Sequence, residues 1–263
     1  MSALDERIAK FPARRSGGIS YRESGAGPTL VLMHGIGSSS AGWLFQLDGL
    51  KGYRLIAWDA PGYGESEALK MPKPRPADYA EAMHAFLGRL LFKDVVIVGS
   101  SLGGLMATAY AAAHADRVRS LLLLGPAGGY GGDAKRTNDR LKQFEELGPE
   151  GLAEKRSPTL VGVGAPPIAL ELTRWTQRRV RPDGYRQAIN CLGAGTLELD
   201  ARRFHKKTLV ACGVEDVITP EPGCKAIAKA FPKAEYRSLP GVGHVPHIEA
   251  PDTINALIRE FVS

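Results

Sequence analysis

The chain has little of what marks the specialised protein classes. It contains three cysteines in 263 residues, an odd number without metal-ligand spacing. That argues against a disulfide framework or a metal centre, and for free thiols in a reducing compartment. No apolar run approaches the ~20 residues that cross a bilayer. The opening segment MSALDERIAKFPARRSGG has no apolar core and carries acids, so it reads as neither a secretory signal nor a transit peptide. Internal repeats and low-complexity segments are missing too. These absences lead us to expect a cytoplasmic globular protein with no membrane partner.

A net charge of +6 raises the question of nucleic acid. The basic residues are scattered apart from one denser patch, RWTQRRVRPDGYR (Arg174 to Arg186), and no nucleic-acid motif accompanies it. Attraction of an anionic small molecule is the better use for such a patch.

The first half of the chain alternates regularly. Short apolar runs end in glycine loops (PTLVLMHGIG, YRLIAWDAPGYGES, DVVIVGSS, VRSLLLLGPAGG), and helical runs lie between them (AGWLFQLDGL, PADYAEAMHAFLGRLL, LMATAYAAAHADR). Buried runs separated by helices predict a parallel sheet covered on both faces. Between 127 and 200 the alternation stops, and helical runs rich in glycine, proline and charge are not interleaved with strands. It resumes with KTLVACGVEDVITP, GCKAIAKAF, AEYRSLP and DTINALIREFV. We therefore expect one α/β core, residues 1–126 and 201–263, with a helical cap at 127–200 over the carboxyl ends of the strands, where such sheets bind ligands.

The stretch GSSLGG joins a predicted strand to a predicted helix. Gly99, Ser101 and Gly103 fit G-x-S-x-G, a strained turn that exposes one serine and demands small neighbours. Ser100 falls in the wrong phase. A phosphate-cradling or purely structural glycine turn would use similar residues. A serine needs a base to become a nucleophile, and the base needs an orienting carboxylate. Among six histidines, His244 in GVGHVPHIEAP follows the last predicted strand on a glycine loop, and His247 is its neighbour and competitor. For the acid, Asp216 beyond the glycine turn in ACGVEDVITP is preferred to a solvent-facing Glu215, with Asp133 as the competing position. Asp59 is read as the anchor of its own turn. The expected oxyanion donors are the backbone N–H groups of Leu102, at a helix N-terminus, and Ile36, in the HGIG loop.

Five segments, HGIG, DAPGYGES, GSSLGG, GVEDVITP and GVGHVPHIEAP, stand in the order and at the separations of the α/β-hydrolase fold, which the chain resembles over nearly its full length. The resemblance implies an eight-stranded, mostly parallel sheet, a cap after the sixth strand, and a Ser101–His244–Asp216 triad that needs no cofactor or metal. It also implies a small-molecule acyl substrate. Serine at the elbow separates the chain from the dehalogenases and epoxide hydrolases of this fold, which use aspartate there. Esterases, enol-lactone hydrolases and carbon–carbon hydrolases of ring-cleavage products are all similar. The last group usually has tryptophan after the catalytic histidine, where this chain has Val245. In the cap, Arg174 and Arg178, with Trp175 between them, would hold a substrate carboxylate if their helix face points into the cleft, and would form a solvated surface if it points outward. A ligand receptor on the same scaffold is the non-enzymatic alternative.

Overall fold

In the computed structural model, which describes residues 2–263, the apolar runs pair into one eight-stranded sheet. The strands are β1 (Arg14–Ser16), β2 (Ile19–Ser24), β3 (Thr29–Met33), β4 (Arg54–Trp58), β5 (Val95–Ser100), β6 (Val118–Leu124), β7 (Thr208–Gly213) and β8 (Ala234–Leu239). Their order across the sheet is β1-β2-β4-β3-β5-β6-β7-β8. β1 and β2 are antiparallel to each other, and β2 is antiparallel to β4; every other pairing is parallel.

The central strands are apolar without alternation because both of their faces are covered. Val31, Ile97, Leu121, Leu123 and Val210 enter one layer with helices Pro76–Arg89 and Leu102–Ala113. Leu30, Leu32, Val96, Val98, Leu122 and Leu209 enter the other, against helices Leu44–Gly49 and Pro251–Val262. Each such side chain contributes about 2 kcal/mol by leaving water. β1 and β2 carry no comparable run. They form the polar edge of the sheet, where Glu23 pairs with Arg14 at 2.8 Å and with Arg54 at 2.6 Å.

Between β6 and β7 lie helices Ala134–Gly151, Pro167–Arg178, Pro182–Ala194 and Leu197–Ala201, with no strand among them. The segment leaving β6 is stitched to them: the Tyr130 N–H donates to Leu192 O at 2.7 Å, and the Leu197 N–H to Gly128 O at 2.9 Å. No helix among the described residues is long and apolar enough to cross a membrane.

One contact fixes how closely the helix after β5 approaches the sheet. A Cβ at Gly103 would stand 2.1 Å from Met33 O and 2.7 Å from His34 O, both backbone atoms at the end of β3. Neither can yield without moving the strand end. Gly103→Ala is expected to destabilise the protein by about 3 kcal/mol. A thermal melt would read this as a fall in Tm of roughly 5–10 °C, and an unchanged Tm would refute the steric argument.

Candidate active site

The turn after β5 puts Ser101 at φ 52° and ψ −117°, a conformation that side-chain-bearing residues seldom adopt. Backbone bonds on both sides hold it there. The Ser101 N–H donates to Leu124 O at 3.0 Å, while Ser101 O accepts from Gly104 at 2.9 Å and Ala127 at 3.0 Å. Strain that is over-determined in this way belongs to sites where a side chain must be aimed.

Two strand ends away, the turn after β7 supplies a carboxylate and the loop after β8 an imidazole. Asp216 and His244 are 4% and 5% exposed. His244 Nδ1 lies 2.8 Å from Asp216 Oδ2, and an ionised carboxylate can only accept, so Nδ1 carries the proton. The other carboxylate oxygen, Oδ1, accepts from the backbone N–H groups of Ile218 at 2.8 Å and Thr219 at 2.9 Å. Burial alone would raise this carboxyl. The hydrogen bond from His244, the imidazole's charge and the Thr219 bonds outweigh burial and hold it below the usual carboxylate range.

Sequence reasoning missed two residues that complete this arrangement. Thr219 Oγ1 stands 2.8 Å from Asp216 Oδ2, 3.0 Å from Gly125 O and 3.2 Å from His244 Nδ1, which ties the acid turn to the end of β6. Its signal was a hydroxyl three residues beyond Asp216. Glu249 is buried. Its Oε2 accepts from Gly243 N–H at 2.9 Å and from Gly162 N–H, in the cap, at 2.7 Å, and its Oε1 accepts from Val245 N–H at 3.0 Å. It therefore grips the peptide groups on both sides of His244, whose own N–H donates to Leu160 O at 2.8 Å. Burial pushes the Glu249 carboxyl up, against the pull of those three N–H donors.

The competing residues have other tasks. His247 packs on Trp43, ring centroids 4.2 Å apart, and burial, then the nearby His244 and His34, push its pKa down to about 3. It is a neutral packing group. Asp133 accepts from Arg136 N–H at 2.9 Å as the cap of helix Ala134–Gly151. Asp59 accepts from the Ser40 N–H at 2.7 Å and the Ser20 hydroxyl at 2.5 Å, anchoring its turn. Glu215, expected to face solvent, instead accepts from Val163 N–H at 2.7 Å and fastens the cap loop.

Two cavities meet at Ser101 and His244. The larger spans about 610 Å³ under the cap and the smaller about 360 Å³, both including space open to solvent. Ile36 lines both, and Ser100 reaches only the smaller. The HGIG loop passes close to the serine: a Cβ at Gly35 would lie 3.1 Å from Ser101 Cβ. Leu102 is the first residue of its helix, so its N–H has no intrahelical acceptor. No hydrogen bond joins the Ser101 hydroxyl to His244 among the described residues; the two share the walls of both cavities. The loops that form this site all leave the carboxyl ends of parallel strands. They can present a hydroxyl, a base and free N–H donors to one acyl carbon.

The alpha/beta hydrolase fold family matches residues 28–251. The chain belongs to it. Along its whole length this alpha/beta hydrolase is similar to the 2-hydroxy-6-oxononadienedioate/2-hydroxy-6-oxononatrienedioate hydrolase of Comamonas testosteroni, with 26% identity over 288 positions, covering 100% of this chain and 99% of that protein. Its fold is similar to that of the enol-lactonase from Burkholderia xenovorans, at a TM-score of 0.86 and 24% identity over 95% of this chain and 99% of that one. A thermophilic esterase from Thermogutta terrifontis superposes at a TM-score of 0.85, with 24% identity over 96% of both chains.

The hydrolase departs from expectation at its cap arginines. Arg174 pairs with Glu154 at 3.8 Å, and Arg178 pairs with Glu150 at 3.1 Å and with Glu154. Trp175 donates its Nε1–H to Asp5 Oδ1 at 2.8 Å and carries the Arg179 guanidinium on its ring at 3.8 Å. None of Arg174, Trp175 and Arg178 lines either cavity at Ser101. Helical spacing put these residues on one face, but that face had acids of the preceding cap segment waiting for it. The arginines on the wall of the larger cavity are Arg136, Arg140 and Arg156.

Proposed function

We propose that this hydrolase cleaves a small carboxylic ester or lactone through an acyl-enzyme on Ser101. The reading is carried by His244, backed by Asp216 at 2.8 Å and opening with the strained Ser101 onto one cavity. In the first step His244 Nε2 takes the Ser101 proton as Oγ bonds to the acyl carbon, and the carbonyl oxygen becomes an oxyanion facing the N–H groups of Ile36 and Leu102. The proton then passes to the departing alkoxide as the C–O bond breaks. Water, activated by the same imidazole, returns the serine and releases the acid. Asp216 stabilises the imidazolium in both halves. Three free, buried thiols support a reducing compartment such as the cytoplasm.

The second reading is hydrolysis of a carbon–carbon bond in a ring-cleavage product, supported by the full-length similarity to the Comamonas testosteroni enzyme. Val245 after His244 speaks against it. The test combines a short-chain 4-nitrophenyl ester, a lactone and a coloured dienol diketone with mass spectrometry of the quenched enzyme. Ester turnover with the acyl mass on the peptide containing Ser101 is expected. Disappearance of the diketone without ester turnover would favour the second reading. Binding without turnover of any of the three would indicate a receptor on this scaffold and overturn both.

A further inference from the structure

A guanidinium drawn out of bulk water needs a partner, and an uncompensated one is costly. The larger cavity has three arginines on its wall and no carboxylate. Arg140 donates from Nη1 to Tyr130 Oη at 2.9 Å and from Nη2 to Tyr185 Oη at 3.5 Å, and its Nε is shielded from solvent with no partner. Among the described residues Arg156 donates only to Gln143 Oε1, at 3.2 Å. Arg136 lies over the Tyr130 ring at 4.0 Å. Three of the four acids of helix Ala134–Gly151 are engaged elsewhere, Asp139 with Lys135 at 2.6 Å, Glu145 with Arg186 at 2.7 Å and Glu150 with Arg178 at 3.1 Å. The fourth, Glu146, approaches Lys142 at 4.0 Å and lies with Arg156 on a separate outer cavity, not on the wall shared with Ser101. The contrast with Arg174 and Arg178, which are both acid-paired, shows that this cap can neutralise its arginines. At the cavity wall it does not.

We propose that Arg140 and Arg156 form an anion subsite that takes a carboxylate of the substrate, with Tyr130 and Tyr185 orienting the Arg140 fork. The inference rests on the serine-hydrolase reading of the same cavity and narrows its substrate to a half-ester of a dicarboxylic acid or a carboxylated lactone. Because Ser101 and the arginines share one cavity, such a substrate is held at both ends, which fixes the acyl carbon over the hydroxyl. Burial, then the neighbouring Arg140 charge, push the Arg156 guanidinium below its ordinary range, a penalty that a bound carboxylate removes.

The test compares 4-nitrophenyl hydrogen succinate with its methyl ester, two substrates that differ in one charge. The ratio of their kcat/KM values in wild type is expected to favour the acid, and to fall about 100-fold in Arg140→Gln or Arg156→Gln. An unchanged ratio overturns the subsite, including the case where both substrates slow in proportion because the cap is damaged. A second measurement needs no arginine variant. Succinate should raise the Tm of Ser101→Ala, and neutral succinamide should not. Equal effects of the two, or an equal effect of inorganic phosphate, overturn the carboxylate assignment. Should Ser101 fail to become acylated, the hydrolase reading falls, and the succinate result still decides the subsite.

Discussion

Ser101→Ala is expected to lower kcat for a short-chain 4-nitrophenyl ester by about 10⁵-fold or more. The acyl mass on its peptide should vanish with the activity. The size follows from the role: without the hydroxyl there is no covalent step, and what remains is water attack helped only by binding and the N–H donors. Ser101→Gly separates chemistry from strain. At φ 52° a Cβ is disfavoured and glycine is not, so this variant should be as inactive as Ser101→Ala while melting higher. A loss of less than tenfold in either variant would remove Ser101 from the reaction.

The site was legible wherever a local rule forces the residue type. The elbow needs small neighbours at Gly99 and Gly103, and the parallel strands need unbroken apolar runs, so both stand out in the sequence. Asp216 and His244 could be placed because each follows a strand end on a tight turn. The two antiparallel strands could not be read directly: β1 and β2 (RRS and ISYRES) are short and polar, and their place in the sheet depends on pairing with β4. The cap arginines failed for a related reason. Spacing within helix Pro167–Arg178 says which residues share a face, but not that Glu150 and Glu154 will cross from another helical segment to meet that face. Nothing in the sequence separates Arg140 and Arg156 from the other charges of the cap. Only the packed cap reveals that the wall they share with Ser101 carries no acid. Thr219 and Glu249 do stand within a few residues of Asp216 and His244, but their bonds to Gly125 and Gly162 are made only by folding.

Asp216→Asn tests the orienting half of the pair, and its expected cost is about 10⁴-fold in kcat. The geometry dictates how the amide must sit. The Ile218 and Thr219 N–H groups, at 2.8 and 2.9 Å from Oδ1, require an acceptor, so the amide oxygen turns toward them. The NH₂ group then faces His244 Nδ1, where a carboxylate oxygen accepted before. A donor there makes Nδ1 the acceptor and moves the imidazole proton to Nε2, the nitrogen that must receive the serine proton. The base is present but blocked. Stability supplies an independent check with a definite sign. Because the folded carboxyl lies below its usual range, its pairing stabilises the protein above the unfolded-state pKa of about 4. That contribution is lost as pH falls through the folded value. The Tm gap between wild type and Asp216→Asn should therefore be widest near pH 7 and narrow below about pH 4. A gap that stayed constant with pH, or activity within tenfold of wild type, would show that Asp216 does not hold the imidazole as an anion.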